Sequence, residues 1–94
     1  AGARGALVKV RWTAHALEAI RNRKLDLAEA RAAVEQPELV LPGYRGREIR
    51  QRLGAGTIEG KPYLVRAVVE YVGDEVVVVT VYPSTRIKKY GGEP

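Results

Sequence analysis

Residues 61–83, KPYLVRAVVEYVGDEVVVVTVYP, constrain the fold more than any other part of this chain. Two valine-rich runs, 63–72 and 76–82, flank Gly73-Asp74. β-Branched side chains suit a pleated surface, so the stretch predicts a β-hairpin with a tight two-residue turn. The second run is apolar on both faces, which predicts a central strand covered on both sides. Counting back from the turn, Val72 opposes Glu75, Ala67 opposes Thr80, Arg66 opposes Val81 and Val65 opposes Tyr82. One face then holds Val65, Ala67, Val69, Tyr71, Val76, Val78, Thr80 and Tyr82, and is the one expected to receive helices. The other holds Leu64, Val68, Val77, Val79 and Val81 with two charges, Arg66 and Glu70.

The rest of the chain adds few elements. Residues 7–12 alternate and predict a first strand at a sheet edge. Thr13 predicts the N-cap of a helix with Ala16, Leu17, Ile20 and the stem of Lys24 on its apolar stripe and His15 facing away. Asp26 and Glu29 have capping-box spacing for a second helix, with Leu27, Ala30 and Val34 buried and Pro37 ending it. The short link predicts an antiparallel helix pair lying on the sheet. A short strand at 38–41 should lead into a basic strand that turns near Glu59-Gly60. Direct counting across that turn sets Arg50 and Arg52 among the helix-facing residues. A bulge at 54–56 is therefore expected to return Ile49 and Leu53 to the core, leaving Arg50, Arg52 and Arg66 together on the open face. The expected class is α+β: one strand, a two-helix antiparallel pair, then an antiparallel sheet of three to four strands with helices on one face.

At 94 residues the chain predicts a single domain, 1–94, with 1–6 and 91–94 flexible. No apolar run approaches the length that spans a bilayer and no secretory pattern opens it, so no membrane partner and a cytoplasmic location are expected. The absence of cysteine excludes disulfides and cysteine-containing zinc sites, and a single histidine argues against a histidine cluster. No metal and no cofactor are expected. Sixteen basic against eleven acidic residues give a net charge of +5. With a pI near 9.8, the balance points to a polyanion or an acidic protein as partner, and charge alone leaves a merely soluble basic surface as an equal alternative.

Four segments together, WTAHALEAIRNRKLDLAEA, QPELVLPG, the 61–83 hairpin and TRIKKY, resemble a bacterial family known as domain of unknown function 4258. Through it the chain is similar to the RelE/ParE-like toxin superfamily and its BrnT-related branch. The resemblance implies a RelE/ParE-like fold and the toxin of a type II toxin–antitoxin pair. It implies a metal-independent endoribonuclease acting on mRNA, which can be ribosome-bound, silenced by a cognate acidic antitoxin. Relatives that poison gyrase keep a second reading open: a non-catalytic nucleic-acid- or protein-binding module. No histidine lies in the last strand, where several ribosome-dependent members carry one.

Metal-free RNA cleavage needs a base, an acid and cations at the phosphorane. His15, the one imidazole, is the candidate acid/base, against the alternative of an exposed helix-start histidine without a role. Arg52 and Arg66 are the candidate transition-state cations, against a solvated face with Arg66 paired to Glu70. Tyr82 could donate a proton or stack a base, or simply belong to the core. Arg45, Arg47, Arg50, Lys88, Lys89 and Tyr90 are the candidate nucleic-acid contacts, combining charge with an aromatic ring as single-stranded RNA binding requires. An exposed edge strand would permit a homodimer.

Overall fold

The computed structural model describes residues 9–88. In chain order these form β1 (Lys9–Trp12), α1 (Ala14–Asn22), α2 (Leu27–Glu35), β2 (Leu39–Pro42), a 3-10 turn (Tyr44–Gly46), β3 (Glu48–Ile58), β4 (Lys61–Val72) and β5 (Glu75–Ser84). The strands build one sheet in the order β1-β5-β4-β3-β2. β1 is parallel to β5, and every other neighbouring pair is antiparallel. The expected antiparallel sheet of three to four strands, and the RelE/ParE-like layout implied with it, is corrected to a five-stranded mixed sheet; the broad α+β class stands. The physical reason is the free edge of β5. Its backbone groups need partners, and β1 supplies them for the first half of the strand, from Lys9 opposite Glu75 to Trp12 opposite Val78.

Both helices start where the sequence places them. The Ala16 N–H donates to Thr13 Oγ1 at 3.0 Å, and the Ala28 N–H donates to Asp26 Oδ1 at 3.1 Å. The buried stripes differ from the expected ones: Ala16, Ala19 and Ile20 in α1, and Ala30, Ala33 and Val34 in α2. Leu17 and Leu27 face outward, because small alanines let the helix backbones approach the sheet closely. Their partners on the sheet are Val65, Ala67, Val69, Val76, Val78 and Val81, with Val10, Trp12 and Leu25 at the margin.

Two irregularities decide which side chains share a face. In β3, Leu53 opposes Leu64 and Thr57 opposes Pro62, so four steps along β3 face two along β4. That excess is even, and an even excess leaves the alternation of faces unchanged. The expected rotation of Arg50 and Arg52 onto the open face therefore does not occur; they oppose Ala67 and Val65 on the helix-bearing face. Their charge is not stranded there. Arg50 Nη1 donates to the Val34 carbonyl at 2.6 Å and Arg52 Nη1 to the Gln36 carbonyl at 2.8 Å. Both cations cap the C-terminal end of α2, whose last turn has no basic residue of its own.

In β5 the excess is odd. Val68 opposes Thr80 but Val69 opposes Val78, leaving Val79 as a single extra residue. Beyond it the faces exchange relative to simple counting: Val81 joins the helix-bearing face opposite Ala67, and Tyr82 comes to lie opposite Arg66. The bulge falls where β1 ends and α1 begins. There the Thr13 N–H and Oγ1 both donate to the Val78 carbonyl, at 3.3 and 2.9 Å, and Oγ1 reaches the Val79 carbonyl at 3.3 Å.

Glu29 does not complete the expected capping box. It accepts a 2.6 Å hydrogen bond from the Tyr63 hydroxyl and a longer one from the Ala55 N–H, tying α2 to the irregular part of β3. The bond to Glu29, then burial and the carboxylate's charge, raise the Tyr63 pKa above its ordinary value of 10.0. The folded state thus holds this proton more tightly than the unfolded chain. The resulting stability is fully present below the unfolded pKa and is lost as pH rises through the folded one. Urea unfolding between about pH 8 and about pH 11 checks this. Tyr63→Phe should show a shallower alkaline loss than the parent, and equal slopes would refute the linkage.

Candidate functional site

The most enclosed charge among the described residues is Arg66, in the middle of β4 on the face opposite the helices and 3% exposed. A buried guanidinium persists only where its donors are satisfied. Arg66 Nε donates to Gln51 Oε1 at 3.0 Å, across the β3–β4 pair, and Nη1 donates to the Tyr82 hydroxyl at 2.7 Å, across the β4–β5 pair. Gln51 is itself buried, and both it and Arg66 have further partners. The bulge at Val79 is what makes this trio, since without it Tyr82 would point to the other face.

A second cation approaches the same ring. The Arg66 guanidinium carbon lies 5.6 Å from the Tyr82 ring centroid, and that of Arg23, just past α1, lies 6.0 Å from it. Arg23 is exposed and forms no ion pair among the described residues. Two guanidiniums thus flank one phenol: that of Arg66 is buried with donors engaged, and that of Arg23 stands at the surface with its fork open to solvent.

The cluster sits toward one end of the sheet, where the β3–β4 hairpin, the close of β5 and the α1–α2 connection gather. Arg23, Lys24, Lys61, Arg86 and Lys88 all lie there, and among the described residues none of them is ion-paired. At the far end, around the β4–β5 turn, the acids Glu48, Glu70 and Glu75 are matched to Arg50, Arg47 and Arg11. Five of the unmatched cations therefore gather at one end, while among the described residues Lys9 and Arg45 are the unmatched ones at the other. Asp26 and Glu59 moderate the charge of the five, although the Asp26 carboxylate is engaged in capping α2.

The residues singled out from sequence scatter across this geometry. Arg66 and Tyr82 meet. Arg50 and Arg52 are on the opposite face, bound to helix carbonyls, and Arg50 is also bonded to the Tyr71 hydroxyl at 2.7 Å. Arg47 pairs with Glu70 at 3.0 Å, so the alternative of a solvated face with Arg66 paired to Glu70 does not hold. Arg45 is exposed in the 3-10 turn, and Lys88 is exposed at the basic end. Lys89 and Tyr90 lie outside the described residues, as do Leu7, Val8 and both segments expected to be flexible. His15 is exposed in the first turn of α1, about 12 Å along the helix axis from Arg23, and has no hydrogen bond to any of these groups among the described residues. Gln51 and Arg23 were not anticipated. The NRK run closing α1 was the available signal, but it reads equally well as a solvated helix end.

Residues 12–83 match the family model described as Domain of unknown function (DUF4258). The chain belongs to the DUF4258 family. The matched stretch contains Arg23, Gln51, Arg66 and Tyr82, whereas Arg86 and Lys88 fall beyond its end. No curated protein and no solved structure matches the chain. Among the described residues no group of histidine, cysteine, aspartate or glutamate could hold a metal ion, and no helix is long and apolar enough to cross a membrane.

Proposed function

We propose that this chain is the toxin of a toxin–antitoxin pair, related to the RelE/ParE-like toxins that its sequence resembles, and that it acts by binding RNA. The observation that carries the reading is the Arg23–Tyr82–Arg66 arrangement, two guanidiniums at 6.0 and 5.6 Å from one ring, toward the end that holds Arg23, Lys24, Lys61, Arg86 and Lys88. An acidic antitoxin would neutralise the same end. Binding is favoured over cleavage by His15, whose exposed imidazole stands in the first turn of α1 while Arg66 lies on the sheet face away from the helices. Cleavage keeps one point in its favour: the 2.7 Å bond from Arg66 places a phenol beside a fixed cation, and such a phenol can relay a proton while the guanidinium meets the phosphorane charge.

Fluorescence anisotropy with labelled single-stranded RNA tests the reading, run beside induced expression with growth and RNA integrity followed. The parent protein should bind with a steep salt dependence and arrest growth. Co-expression of a small acidic protein encoded next to it should restore growth. His15→Ala should leave binding and arrest intact. A parent protein that neither binds RNA nor slows growth would end the toxin reading. RNA fragments that appear with the parent and vanish with Tyr82→Phe would move the assignment from binding to cleavage.

A further inference from the structure

Two grooves open on either side of the β3–β4 hairpin. The first, about 420 Å³, lies between that hairpin and the α1–α2 connection and is lined by Arg23, Lys24, Leu25, Ile58 and Tyr63 among others. The second, about 490 Å³, lies between the hairpin and the segment after β5, where Lys61, Pro62, Arg86, Ile87 and Lys88 line it. Each combines apolar side chains with cations. Each is of a size for a single nucleotide.

Lys24 adds an independent observation. The Leu25 N–H bonds to the Ile20 carbonyl at 2.9 Å and the Lys24 N–H to the Arg21 carbonyl at 3.2 Å, closing α1 with Lys24 at φ 55°. This is the helix-closing position at which glycine is favoured, because a Cβ is strained there. A lysine stands where glycine would be the more stable choice, and it lines the first groove.

We propose that the two grooves form one path for a single strand of RNA crossing the tip of the hairpin, with Arg23 and Lys24 meeting phosphates on one side and Lys61, Arg86 and Lys88 on the other. This rests on the RNA-binding reading above and extends it from one nucleotide to a run of several. Arg23 belongs to both the Tyr82 cluster and the first groove, so the two parts share a residue.

The test is anisotropy with a labelled single-stranded RNA of about twelve nucleotides, read at several salt concentrations. Lys24→Glu and Lys88→Glu should each weaken binding about tenfold and lower the salt slope by at least about 0.7, as expected when one fewer phosphate of a single strand is neutralised. Lys9→Glu, at the opposite end of the sheet, should bind as the parent does. Lys24→Gly should raise the thermal midpoint by about 4 °C while weakening RNA binding, the pairing expected of a cation held for a ligand at the expense of stability. Retained affinity in Lys24→Glu or Lys88→Glu, an equal loss in Lys9→Glu, or equal affinity for a duplex would overturn the path. If Arg23→Glu abolishes binding while Lys24→Glu and Lys88→Glu do not, the RNA-binding reading survives and only the path is lost. If the parent does not bind RNA, both fall.

Discussion

Gly54→Ala should destabilise the protein by about 3 kcal/mol, the upper end of what overpacking usually costs. A Cβ at Gly54 would lie 2.2 Å from the Tyr63 ring, closer than any real contact between carbon atoms, and 2.3 and 2.8 Å from two further ring atoms. Tyr63 is only 8% exposed and its hydroxyl is tied to Glu29 at 2.6 Å. To make room, the ring must leave the core and abandon that bond, or β3 must shift away from β4. Either movement disturbs the packing of α2 on the sheet. For a domain of this size the thermal midpoint should fall by more than about 10 °C. Pairing the change with Tyr63→Ala makes the cause measurable. If the ring is the obstacle, Gly54→Ala should cost little once the ring is gone, giving a coupling of about 2 kcal/mol in a double-mutant cycle. A Gly54→Ala protein within about 0.5 kcal/mol of the parent would show that β3 accommodates the methyl group without strain.

The largest functional effect is expected at Arg66, and there stability and binding should move together. Removing its side chain takes one hydrogen bond from the buried Gln51 Oε1 and one from the half-buried Tyr82 hydroxyl. Each such group costs about 1–3 kcal/mol, so Arg66→Ala should lose several kcal/mol in chemical denaturation as well as RNA binding. Two companion variants separate these effects. Arg23→Glu changes an exposed residue, should cost about 1 kcal/mol through the lost contact with the Tyr82 ring and the negative charge at the end of α1, and should still lower RNA affinity at least tenfold. Tyr82→Phe keeps the ring and removes only the hydroxyl that receives the Arg66 bond, at a cost near 1 kcal/mol. If Arg23→Glu binds RNA as tightly as the parent, the cluster around Tyr82 is a structural device that holds β3, β4 and β5 together, and the anion lies elsewhere.

Much of the scaffold was legible residue by residue. Thr13 and Asp26 cap the two helices as their side chains dictate, and Pro37 stands just past the end of the second. The turn at Gly73-Asp74 pairs Val72 with Glu75, and the turn at Glu59-Gly60 joins β3 to β4. In each case the signal is local, because a cap or a two-residue turn is settled by groups within a few positions of one another.

The candidate site was less legible for a reason that can be named. Expecting Arg50, Arg52 and Arg66 to converge required the irregularity at 54–56 to contribute an odd number of extra residues. It contributes an even one, and the odd one lies in β5 instead. An unpartnered charge beneath the helices would be costly, but Arg50 and Arg52 find partners there in the otherwise unsatisfied carbonyls at the end of α2, more than a dozen positions away in the chain.

By itself the sequence determined the caps, the turns, the valine hairpin and an excess of positive charge, all properties of a residue and its near neighbours. Only the tertiary structure decided that Tyr82 meets Arg66, that two arginines close a helix, and that Arg23, Lys24, Lys61, Arg86 and Lys88 come to one end. The physical reason is parity. A single extra residue turns every later side chain of a strand to the other face, and its place at Val79 depends on Thr13 reaching the carbonyls of Val78 and Val79 from the far end of the chain.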